Sequence, residues 1–184
     1  MGREATVSFV HRRANKQYVR MTDEEMWKFL ESRDRVFVGF PAPGGFPHVS
    51  PIWFCVLDGK IYLRTQEYKV KTKLAAGQKV CLSIDDGKYY RELRGVVIWG
   101  SSKVLTDPNL IQRVSNVFII RYKNEQWKGS EMPRWWVRER KKERRAYIEI
   151  VPEKISSWDN SKLSRLAGRP EQIRAARRNA SQPS

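Results

Sequence analysis

At 184 residues the chain is long enough to bury a core of its own without disulfide or metal staples. Aromatics make up 11% of it, including seven Trp, which excludes a disordered polycation even though 36 Lys and Arg stand against 20 Asp and Glu for a net charge of +16. No apolar run approaches the roughly 20 residues needed to span a bilayer.

Taken in order, residues 1–20 (MGREATVSFVHRRANKQYVR) form a basic arm without the apolar stretch of a cleavable leader, so secretion is not indicated. Thr22-Asp23-Glu24-Glu25 is a capping box, and Met26, Phe29 and Leu30 are the stripe of a short helix ending near Arg33. Arg35–Phe40 reads as a strand, stopped by Pro41, Pro43 and Gly44-Gly45. A second strand, His48–Leu57, turns at Asp58-Gly59 into a third, Lys60–Thr65. Tyr68–Ala76 looks like one or two helical turns closed by Gly77, and Lys79–Asp85 alternates as a strand that ends at Asp86-Gly87. Glu92–Leu105 is a longer strand in which Gly100 suggests a bulge or a close approach.

Asp107-Pro108 opens a helix in the favoured way, with Leu110, Ile111, Val114, Val117 and Phe118 on its apolar face and an end near Tyr122. Gln126–Arg134 reads as a loop, Arg145–Val151 as a strand and Lys154–Trp158 as a short last strand. Six or seven strands joined mostly by tight turns, with two substantial helices inserted, favour a closed antiparallel barrel over a doubly wound sheet. Cys55 and Cys81 sit inside apolar strand-like runs and read as buried reduced thiols of a cytoplasmic protein. The basic surplus gathers at Arg134–Arg145 and Arg165–Ser184, where it would concentrate anions, nucleic acid included. A solvated face is the plainer reading of the tail, whose Ala/Arg/Ser/Pro composition cannot build a core.

The chemistry concentrates after the third strand. Thr65 at its end, followed by Lys69, Lys71 and Lys73, brings a hydroxyl and several ammonium groups to one edge, a cradle suited to a phosphate. The alternative is a solvated helical turn. No Gly-rich dinucleotide fingerprint, P-loop, CxxC or nucleophile elbow is present. His48 and His11 are the only histidines, too few for a metal site; His48 reads as a turn residue, with proton donation as the alternative. Trp53, Trp99 and Trp158 are core or interface payload, or walls of a flat ligand's pocket. Trp135 and Trp136, flanked by arginines, suit base stacking, the mouth of a site or an interface.

The order PHVSPIWF, DGKIYLRT, K-x-K, KVCLSIDD, ELRGVVIWGSSKV, a helix and IEIVPEKISSWD resembles the pyridoxamine 5′-phosphate oxidase-related family of flavin-binding split barrels, over about Met21 to Lys162. The resemblance implies a mainly β, six-stranded antiparallel Greek-key split barrel with flanking helices at residues 21–163, between the basic arm 1–20 and a basic tail 164–184. It further implies a homodimer with flavin at the protomer interface and hydride transfer to a small molecule. The implied cofactor is FMN or the deazaflavin coenzyme F-420. In this family the PHVSPIW strand lines the flavin largely through its main chain, which implicates Val49, Ser50, Pro51 and Ile52. Thr65 matches the family's strand-end Thr, Lys71 its phosphate-binding Lys with Lys69 as the near alternative, and Gly95 stands where the oxidase proper has a polar flavin contact, with Arg94 beside it as a ring contact or a structural pair. Val70-Lys71 replaces the oxidase's Arg-Lys pair and SSWDNSKL its Arg-x-His, which argues against pyridoxamine phosphate as substrate. A flavin protein without turnover and a nucleic-acid module built on the Arg-rich segments are the alternatives.

Overall fold

The computed structural model describes residues 16–42, 44–67, 69, 78–122 and 144–166. Among them the helices are α1 (Lys16–Val19), α2 (Asp23–Glu31) and α3 (Pro108–Tyr122). The strands are β1 (Arg35–Pro41), β2 (Pro47–Leu57), β3 (Lys60–Gln66), β4 (Lys79–Asp86), β5 (Arg94–Val104) and β6 (Arg145–Asp159), with 3-10 turns at Tyr90–Glu92 and Asn160–Leu166. The six strands close into an antiparallel barrel in the order β1-β2-β3-β6-β5-β4, the mainly β architecture expected from the sequence. The helical segment expected at Tyr68–Ala76 and the loop at Gln126–Arg134 lie outside the described residues.

The chain divides into two compact units, one of Asp34–Cys81 and Gly100–Val151, the other of Met1–Arg33, Leu82–Trp99 and Pro152–Ser184. In the first, β1 alternates cleanly: Val36, Val38 and Phe40 are buried and Arg35, Phe37 and Pro41 exposed. The β2–β3 turn places Asp58 at φ 51° and Gly59 at φ 67°, the two left-handed residues a two-residue hairpin requires. Asp107 Oδ1 accepts from the Asn109 amide at 2.9 Å and starts α3, with Pro108 in the first turn. Val114, Phe118 and Tyr122 then lie on one stripe and pack on Cys55, Tyr62, Leu105 and Tyr147. Tyr122, the last residue of α3, stacks on Trp53 with centroids 5.0 Å apart. Its hydroxyl shares one proton between the carbonyls of Phe54 at 2.6 Å and Asp34 at 2.8 Å.

In the second unit the capping box forms as read, with the Glu25 amide donating to Thr22 Oγ1 and the Thr22 amide to Glu25 Oε2. Glu25 also takes Lys162 Nζ, which donates to the Arg20 carbonyl at 2.8 Å. Asp86 sits between two guanidiniums, Arg33 at 2.9 Å and Arg94 at 2.7 Å, and both lie over the buried Phe29 ring. Arg94 is thus the structural pair of the two roles weighed for it.

Four expectations need correction. The two last strands are one, because β3 pairs with β6 only from Arg145 to Ile150; Pro152 lies beyond that ladder, where its missing N–H removes no bond to β3. The strand expected from Glu92 starts at Arg94, since Tyr90–Glu92 winds into a 3-10 turn. Cys81 is half-buried, whereas Cys55 is fully buried. His48 lies in β2, as the expected strand His48–Leu57 has it and the turn reading does not.

Candidate cofactor site

β2 exchanges one partner for another along its length. It pairs with β1 from Pro47 to Trp53 and with β3 from Trp53 to Leu57. The β3-side edge of residues 47–52 therefore lies outside both of these ladders. Peptide groups must be satisfied by something when they are withdrawn from water. An edge of this kind is a set of fixed donors and acceptors available to a ligand.

Side chains on that stretch point the same way. His48 and Ser50 share the face of Ile52 and Phe54, opposite Phe40 and Val38 of β1, which are buried. His48 Nε2 and Ser50 Oγ are both buried and have no hydrogen-bond partner among the described residues. Such atoms cost on the order of 1–3 kcal/mol each when left unsatisfied, so a polar partner is expected there. Thr65 is 9% exposed and follows Arg64, whose register partner is Trp53; it carries the same inward parity as Ser50 and Ile52. The Lys69 amide closes a turn onto the Gln66 carbonyl at 3.0 Å just beyond β3, and the Lys69 side chain is exposed.

The residues singled out from the sequence thus separate into groups. Ser50, Ile52 and Thr65 share a face, and Ile52 at 6% exposure has only its main chain to offer. Val49 and Pro51 face outward and are exposed. Lys71 and Lys73 lie outside the described residues, as do Trp135 and Trp136.

Gly95 belongs to the other compact unit. A Cβ built on it would stand 2.5 Å from the Trp158 ring and 2.8 Å from the Ile84 carbonyl. It is a close-packing glycine, the role the sequence suggested for Gly100. Trp158 fills the notch at Gly95, and Trp53 is committed to Tyr122 and to Arg64, whose guanidinium lies 4.9 Å from its ring centre. Trp99 is 38% exposed and carries the Lys154 ammonium 4.8 Å above its ring.

Neither cysteine is an activated nucleophile. Burial pushes the Cys55 thiol up to about 12 and the Tyr122 phenol up to about 12, so both stay protonated at neutral pH. Burial also raises Cys81. Among the described residues no group of three or more His, Cys, Asp or Glu is placed to hold a metal. A cleft of ≈ 630 Å³ in the second unit is lined in part by Asp86, Glu92, Arg94 and Asp159. Its carboxylates already serve Arg33, Arg94 and the amides of Tyr89 and Ser161.

The sequence missed the orphaned pair on β2 and the cage around Arg64, which also lies 5.0 Å from the Phe118 ring centre and 5.9 Å from that of Tyr122. The alternation of KIYLRT carried the signal for Arg64: it falls on the parity of Tyr62, facing α3.

Residues 22–159, three quarters of the chain, match the family model for pyridoxamine 5′-phosphate oxidase. The chain belongs to that family. Among solved structures a conserved hypothetical protein from Mycobacterium tuberculosis is similar at 26% identity, over 84% of this chain and 93% of that one, with a TM-score of 0.68. The flavocytochrome Anf3 from Azotobacter vinelandii shares the fold at 18% identity, over 81% of this chain and 72% of that one, with a TM-score of 0.60. An FAD binding protein from Mycobacterium smegmatis does so at 16% identity, over 76% and 95% of the two chains, with a TM-score of 0.54. No curated protein matches. In this member of the pyridoxamine 5′-phosphate oxidase family the residues at the end of β6 are occupied structurally. Trp158 fills the Gly95 notch, Asp159 accepts from the Ser161 amide, and Asn160 donates to the Leu93 and Tyr90 carbonyls.

Proposed function

We propose that this protein is a flavin-dependent oxidoreductase of the pyridoxamine 5′-phosphate oxidase family, acting as a homodimer on a small molecule other than pyridoxamine phosphate. The observation that carries the reading is the β3-side edge of residues 47–52, which has no ladder among the described residues, together with the His48 Nε2 and Ser50 Oγ atoms that have no partner among them. The polar edge of an isoalloxazine alternates carbonyl oxygens with an N–H, and peptide groups of residues 49–52 complement such an edge. Ser50 offers one further donor or acceptor, and His48 an imidazole nitrogen that can hold or release a proton. Thr65 and Lys69, with Lys71, would hold a phosphate at the end of β3. Bound there, FMN or the deazaflavin coenzyme supplies the hydride chemistry, and the protein supplies position and electrostatics. The raised Cys55 and Tyr122 fit this division of labour, since no protein nucleophile is called for. Family relatives in fold include proteins described as an FAD binding protein and a flavocytochrome, which supports a flavin over another cofactor.

Fluorescence quenching of purified protein titrated with FMN and with the deazaflavin coenzyme, at physiological salt, tests the reading. Saturable binding of one of them, followed by reduction with NAD(P)H or a reduced deazaflavin and reoxidation by an acceptor, is the expected result. Binding of neither would leave only the fold in common with the family's flavoproteins.

A further inference from the structure

The end of β3 carries a cation that no sequence motif announces. In the β3–β6 ladder Thr65 stands opposite Ala146 and Gln66 opposite Arg145. One step further, the Glu67 amide donates to the Arg144 carbonyl at 3.1 Å, which fixes the Arg144 backbone at the mouth of the hairpin-like pair. Partners across an antiparallel ladder share a face, and faces alternate along each strand. Arg145 therefore shares the side of Gln66, Arg64 and Tyr147, toward α3. Arg144 continues the side of Ala146 and Thr65. Arg144 and Lys69 are both exposed, and the Lys69 backbone is tied to Gln66 by its turn. Among the described residues Glu67 is the acidic residue at this end, and the cations Lys69 and Arg144 outnumber it.

We propose that Arg144 is a phosphate-binding residue, closing from β6 the cradle that Thr65 and Lys69 open from β3. The inference rests on the flavin reading above and adds the group that recognises the anionic end of the cofactor. A phosphate dianion is held best by several charge-assisted donors converging from different backbones, and a guanidinium offers two parallel N–H groups to two phosphate oxygens. Lys69 alone would be a single point charge on a flexible stem. The pair spans two strands, so the phosphate would be gripped from both sides of the ladder.

The test uses the full chain and its Arg144→Ala, Arg144→Lys and Arg145→Ala variants, each checked for an unchanged melting temperature. Binding is read by fluorescence quenching for each cofactor with and without its phosphate: FMN against riboflavin, and the deazaflavin coenzyme against its phosphate-free chromophore. Arg144→Ala should weaken the phosphorylated form on the order of ten- to a hundredfold while leaving the phosphate-free form unchanged. Arg144→Lys should recover part of that loss, and Arg145→Ala should change neither. Equal loss for Arg144→Ala and Arg145→Ala, or equal loss for the two forms of the ligand, would overturn the assignment. Binding of none of these ligands by the unsubstituted chain would instead overturn the flavin reading and the cradle with it.

Discussion

Gly95 and Tyr122 show how much of this protein rests on single contacts. At Gly95 the obstacle to a side chain is partly the Ile84 carbonyl, which is backbone and cannot swing aside. Gly95→Ala should therefore lower stability by about 1–3 kcal/mol through overpacking, a fall of several degrees in thermal melting. Trp158→Ala in the same chain should relieve only the ring part of the clash, so a double-mutant cycle should show partial recovery. Tyr122→Phe removes the proton shared by two carbonyls and should cost about 1–3 kcal/mol by denaturant unfolding. Asp86 adds a pH dependence. The hydrogen bond from Arg94, helped by the Gly87 amide and Arg33, holds its carboxyl below the ordinary value of 3.8. Its contribution is present above that value and lost as pH falls through the lower, folded-state one. Asp86→Asn should lower the melting temperature at neutral pH, and the gap to the unsubstituted chain should narrow below about pH 4.

At the level of elements, the sequence was legible wherever a local rule decides the outcome. The capping box before α2, the Asp107-Pro108 start of α3 and the Asp58-Gly59 hairpin all formed as read, because each is settled within a few residues. Asp107→Ala should accordingly cost about 1 kcal/mol, measurable by thermal melting. β6 is not legible locally, for the opposite reason. Pro152 breaks the local pattern, yet whether a proline breaks a strand depends on where its partner ends, and that is a property of β3. The exchange of partners at Trp53, the Arg64 cage and the notch at Gly95 likewise depend on residues far away in the chain. Ser50 and Thr65 could be picked out by resemblance, but the shared face that relates them needed the register. Arg144 was hidden inside a basic run that read as bulk charge.

The molecule as a whole carries a net +16, so binding of any anion should weaken as salt rises, and affinities must be compared at one ionic strength. Part of its apolar exposure is gathered on one sheet face. Phe37 at 50% and Val49 at 58% exposure lie on the outward face of the β1–β2 pair, with Pro51 opposite Phe37 and Gly39 opposite Val49. In the proposed homodimer a second copy of the chain would cover this strip. Light scattering should report a dimer, and Val49→Asp should shift it toward monomer by placing an unpaired charge on that strip.

The handover at Trp53 makes β2 two kinds of strand in one. Residues 53–57 have a ladder to β3, whereas the same edge of residues 47–52 lies outside it. In deuterated water the amides on that open edge should exchange quickly in the empty protein and become protected when a ligand covers them, while the 53–57 stretch stays slow throughout. One strand thus carries both the signal and its internal reference, and occupancy of the site can be followed without knowing the substrate.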